Sequence, residues 1–70
     1  MWLDFYENCK VYFAYKIPHQ IKIYDSELIT EEEVEAYCSG LLMKIGFVLT
    51  DISSHFYIKS NSWVIDVKVK

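Results

Sequence analysis

An α+β fold, a small antiparallel sheet packed on one amphipathic helix, follows from three observations on the 70-residue sequence. One stretch carries apolar residues at steps of three and four behind a strong helix start. Several other stretches alternate apolar and polar residues, the pattern of half-buried strands. The connections between them are short and polar, as antiparallel neighbours require. Together they predict one compact domain over residues 1–70 with the order ββαβββ: a hairpin, the helix, then a three-stranded meander.

The first residues read as a short helical turn, because Trp2, Phe5, Tyr6 and Cys9 fit one helical face. From Lys10 to Ile17 the period changes to two. Val11, Phe13, Tyr15 and Ile17 fall on one side and Lys10, Tyr12, Ala14 and Lys16 on the other. Pro18 is expected to stop this strand, with His19 and Gln20 as the connection to a second strand over Ile21 to Tyr24.

The helix start is the clearest signal in the chain. Thr30 is the N-cap and Glu33, three residues on, completes a capping box in which each side chain satisfies the other's free backbone N–H; Ile29 and Val34 stand at the staple positions. Val34, Tyr37, Cys38, Leu41, Leu42 and Ile45 then form an apolar stripe, and Gly46 is placed to take the left-handed conformation that ends a helix. Three strands follow, Phe47 to Ile52, His55 to Lys59 and Trp63 to Val69, divided by Ser53 and Ser54 and by the Ser60, Asn61, Ser62 stretch. In the last of them Trp63, Ile65, Val67 and Val69 alternate with Val64, Asp66, Lys68 and Lys70, one face for a core and one for water.

Composition narrows the functions on offer. At 70 residues the chain is near the lower limit for a single core, so its 53% apolar content is needed; its 17% aromatic content is more than such a core encloses and points to rings on a binding or oligomer surface. Ten acidic residues against seven lysines give −3, with no arginine, which disfavours nucleic acid as a partner. No apolar run approaches the ~18 residues of a membrane span and the first residues lack a basic, signal-like pattern, so a cytoplasmic protein with reduced Cys9 and Cys38 is expected.

Candidate chemistry is sparse. Cys9, His19, Cys38 and His55 lack the paired short spacing of a zinc knuckle, so no metal and no cofactor is expected. Cys38, His55 and Asp51 supply the residue types of a thiol nucleophile, base and orienter, but Cys38 lies on the stripe meant for the core, where a thiol is inert. No phosphate-binding loop, nucleophile elbow or His-Glu-x-x-His pair occurs, and a non-enzymatic role is the reading.

Two surfaces remain. Tyr12, Tyr24 and Tyr57 fall on the polar side of their strands and suit an interface, although tyrosine also suits any half-wet sheet. Asp25, Glu27, Glu31, Glu32, Glu33 and Glu35 crowd eleven positions without a basic residue. First-turn carboxylates complement the helix dipole, which accounts for Glu31, Glu32 and Glu33 but not for Asp25, Glu27 and Glu35. Such a field favours a protein partner with a basic surface; the plain alternative is a solvated charge run. Ala36, Gly40 and Lys44 mark a third helix side, where Gly40 costs about 1 kcal/mol relative to alanine unless a second backbone, from the amino-terminal segment or another subunit, comes close.

The expectation is a small protein-binding inhibitor or modulator, directed at a host or defence protein, since the Lys-, Ile-, Tyr-rich and Arg-free composition resembles that of small phage and mobile-element products. A homodimer is expected from the aromatic surplus and from the open sheet edges. The alternative is a homo-oligomeric small-ligand-binding protein with its pocket between subunits.

Overall fold

The computed structural model describes residues 1–70 apart from Glu7, Ser26 and Ile29, so the staple position assigned to Ile29 lies outside the described residues. Five strands and one helix appear: β1 (Trp2–Tyr6), β2 (Cys9–Ala14), β3 (Ile17–Tyr24), α1 (Glu31–Lys44), β4 (Leu49–Tyr57) and β5 (Ser62–Val69), with a short 3-10 turn, Ile58–Ser60, between the last two. The fold class is the α+β antiparallel sheet on one helix that the patterning predicts. The strands lie in the order β1-β2-β3-β5-β4, each antiparallel to its neighbours. The C-terminal strand β5 is therefore inserted between β3 and β4.

Three of the expected boundaries change, so that three strands precede the helix and two follow it. The amino-terminal segment is a strand, with Trp2 opposite Tyr12 and Leu3 opposite Val11, and its register slips between Asp4 and Tyr6. That bulge breaks the period of two, which is why the segment imitates a helical face. It turns Phe5 toward Phe13 (ring centroids 6.1 Å, 19° between planes) and Tyr6 toward Tyr37 on the helix (6.5 Å). The two strands read over 47–52 and 55–59 are one strand, because Ser53 and Ser54 find polar partners without leaving it. Ser54 Oγ donates to Glu35 Oε2 of α1 (3.2 Å), and Ser53 Oγ lies 3.3 Å from His55 Nε2.

The first hairpin also turns earlier than Pro18. Ala14 pairs with Ile17, leaving a two-residue turn in which Tyr15 (φ 54°) and Lys16 (φ 68°) are both left-handed, the type I′ geometry that twisted hairpins favour. Tyr15, read as inward-facing, is instead 98% exposed. Pro18 is buried inside β3 and lies beyond Gln20, the first residue that β3 pairs with β5, so its missing N–H breaks no ladder there.

The helix is capped as its sequence predicts, with one change of detail. Thr30 is extended and its Oγ1 accepts from the Glu33 N–H (3.2 Å); the Glu33 carboxylate accepts from the Thr30 hydroxyl (3.0 Å) rather than from the Thr30 backbone. At the other end Gly46 has φ 93°, its N–H bonds to Met43 and the Phe47 N–H reaches back to Leu42, a Schellman closure. Val34, Cys38, Leu41 and Leu42 bury against Cys9, Val11, Ile21, Ile23, Trp63, Ile65 and Val67 of the sheet. Trp63 satisfies its indole N–H on the Leu28 carbonyl (3.2 Å), so even the largest core side chain leaves no polar atom stranded.

Candidate binding surfaces

Directly opposed residues share a face, so the pairing defines what the helix-free side of the sheet presents. One row runs Trp2, Tyr12, Gln20, Asp66, Ser53; the next runs Asp4, Lys10, Lys22, Val64, His55; a third holds Tyr24, Ser62 and Tyr57. All three tyrosines read as outward-facing lie on this side. Tyr24 and Tyr57 flank Ser62 in one row, whereas Tyr12 is two rows away with Lys10 and Lys22 between. Tyr12 stacks at a tilt on Trp2 (5.1 Å), and the Lys22 ammonium sits 4.8 Å from the Trp2 ring centre. Lys22 points outward as its strand's alternation predicts, whereas Trp2 is a member of this surface that sequence reasoning missed, because its spacing suggests a helical face. Gln20 Nε2 donates to Asp66 Oδ1 (2.8 Å), and Asp4 lies 3.9 Å from Lys10.

The acidic segment divides. Asp25 accepts from Asn61 Nδ2 (3.5 Å) while its N–H bonds to the Asn61 carbonyl (3.0 Å), and Glu35 is half-buried against β4 on the Ser54 hydroxyl. Both thus have structural partners that the sequence did not reveal. Glu33 belongs to the cap. Glu27, Glu31 and Glu32 are exposed and carry the outward field.

Cys9 and Cys38 are both buried free thiols in the seam between sheet and helix. Burial pushes the Cys38 thiol up to about 12, with Cys9 and then Glu35 adding to it, and raises Cys9, offset in part by its hydrogen bond with Tyr37. Burial likewise lifts the Tyr37 phenol to about 12. His55 stands on the opposite face of the sheet, in the Val64 row, so the sheet separates it from Cys38 and the thiol, base and orienter combination is not assembled. Among the described residues no three His, Cys, Asp or Glu side chains are placed to hold a metal ion. Gly40 faces open space: an added Cβ would meet nothing within 4 Å, so the amino-terminal segment does not fill the approach expected there.

A largely apolar concavity lies on the helix side. α1 buries Cys9 and Val11 of β2 but leaves Leu3 of β1 and the hairpin end of β2 uncovered. Leu3, Phe5 and Phe13 form the floor of the concavity, Ile45 and Phe47 after the helix form one wall, and Met1 closes an end, around a groove of about 710 Å3 open to solvent. Lys16 at the hairpin tip, with Tyr12 and Tyr15, supplies the polar groups of its rim. The aromatic surplus was the sequence signal for it, but only the bulge in β1 shows which rings line it. No protein-family model, curated protein or solved structure matches the chain. No described helix is long and apolar enough to cross a membrane.

Proposed function

We propose that the protein is a small non-enzymatic binding module, an inhibitor or modulator of the phage or mobile-element kind, that receives a segment of a host or defence protein in the bare groove of β1 and β2. The observation that carries this reading is the lining: Leu3, Phe5, Phe13, Ile45 and Phe47 offer mainly apolar area, and it contains no His, Cys, Asp or Glu. Leu3 is 40% exposed, an apolar side chain in position to be covered. The carboxylates of Glu27, Glu31 and Glu32 serve as the long-range field that draws in a basic partner, and the face of Tyr12, Tyr24 and Tyr57 is a second contact surface.

The test is affinity capture from the source cells with the parent and with Leu3→Glu, which buries a charge in the groove on binding but leaves it in water in the free protein. The expected result is one protein recovered with the parent and lost with the variant, the two having the same circular dichroism. Equal recovery with both removes the groove from the contact. A second reading, a ligand pocket completed by another subunit, is favoured by the groove's open side; a small molecule released from the denatured parent would support it.

A further inference from the structure

We propose that the free edge of β4 is a homodimer interface, in which two copies pair Ile52 to Phe56 antiparallel about a twofold axis at Ser54 and fuse their sheets into one of ten strands. This is separate from the partner groove, which lies at the other edge of the sheet.

The backbone directions come first. The Lys70 N–H bonds to the Val48 carbonyl (2.9 Å), so the even-numbered residues of the regular strand β5 turn their backbone groups toward β4. Ser53, His55 and Tyr57, opposite Asp66, Val64 and Ser62, answer them. Ile52, Ser54 and Phe56 therefore aim their N–H and C=O groups outward. Natural edges are usually blunted by Lys, Pro or a bulge. β4 has its register slip only near its start, between Leu49 and Asp51, where Asp51 Oδ1 also takes the Ile52 N–H (2.9 Å). Ser53 to Tyr57 carries none of these devices, and beyond it Ile58 is 84% exposed.

The side chains then select the register. A twofold axis normal to the sheet keeps both helices on one side and pairs residues of the same parity. With the axis at Ser54, Phe56 lies opposite Ile52 of the second copy, twice, and both are on the helix side, where Phe56 leans on Trp63 (5.0 Å) and is still 45% exposed. On the other side His55 meets Ser53 and lies diagonal to Asp51, whose carboxylate suits an imidazolium. Moving the axis to Ser53 puts Ile52 opposite Ser54 and Phe56 opposite Thr50; moving it to His55 puts Phe56 opposite Ser54 and histidine opposite histidine. Of these three, the Ser54 axis alone matches apolar with apolar, and it does so twice, while the outward Ser54 groups bond to each other and the Phe56 N–H bonds to the Ile52 carbonyl.

Sedimentation equilibrium of the parent should give twice the chain mass at micromolar concentration, and Phe56→Lys should raise the dissociation constant about tenfold or more, since two apolar pairs are lost at once. Register is read by cysteine cross-linking. A hydrogen-bonded antiparallel pair has Cα atoms about 5.5 Å apart, within disulfide reach. Ser54→Cys should therefore oxidise to a covalent dimer far faster than Ser53→Cys or His55→Cys, with Cys9 and Cys38 remaining buried. A monomer mass for the parent at every concentration overturns the proposal. So does a dimer that Phe56→Lys leaves intact, or one that cross-links through either neighbouring position in preference to Ser54.

Discussion

Gly40 is the residue at which local cost and tertiary context disagree most openly. It sits in mid-helix, where glycine costs about 1 kcal/mol against alanine, and the space beside it is empty. Gly40→Ala should raise stability by about that amount in a denaturant melt; a loss instead would show that something occupies that helix side in solution. The buried thiol and phenol make a second residue-scale prediction. Cys38 and Tyr37 are held neutral to about 12, above the ordinary 9.0 of a thiol and 10.0 of a phenol. Between those values the unfolded chain has released protons that the folded chain keeps, so it binds fewer, and stability falls as pH rises from 9.0 toward 12. Melting temperatures across that range should decline, and Cys38→Ala should flatten the lower part of the decline.

At the scale of elements the helix is the best-determined part of the chain. Leu42→Ala, at a fully buried site, should cost about 2 to 5 kcal/mol, and Thr30→Ala, which removes one cap, about 1. Chemical denaturation of the two variants ranks them, and the reverse order would displace the apolar stripe from the core. Those signals were legible because capping and the three-and-four spacing act within a few residues of sequence. The strands were legible, over Ile21 to Tyr24 and Trp63 to Val69, in which residues face the core; their total of five agrees only because the missed β1 and the divided β4 cancel. Their ends were not legible. The bulge in β1 disguises its alternation, the Tyr15 and Lys16 turn uses neither Gly nor Asn, and Ser53 and Ser54 resemble a turn until Glu35 is seen above them. The tyrosine face was legible for the same reason as the strands, whereas the groove was not, because it depends on how far along the sheet the helix reaches.

Across the whole molecule charge is uneven along the strand direction, although Lys59 stands near the acidic end and Asp51 lies opposite Lys68 at the other. Six carboxylates lie between Asp25 and Glu35, where β3 ends and the helix begins; Lys16, Lys44, Lys68 and Lys70 lie at the opposite end. Because Asp25 and Glu35 hold structural bonds, the cleaner test of steering is Glu27, Glu31 and Glu32 replaced together by glutamine. Association with a basic partner should slow and lose part of its salt dependence; an unchanged rate at low ionic strength assigns the run to solvation alone. The insertion of β5 between β3 and β4 bears on time as well as on structure. β1, β2 and β3 pair through tight local turns, but the Gln20 to Asp66 contact that joins the halves spans 46 residues. Closing so long a loop is entropically costly and slow, so the amino-terminal meander should organise first and the carboxy-terminal strand should lock the sheet last. Stopped-flow refolding then has a defined expectation. Val11→Ala should retard folding nearly in proportion to its loss of stability, while Ile65→Val should act mainly by hastening unfolding, and the opposite pattern would place the nucleus in the β4 and β5 hairpin.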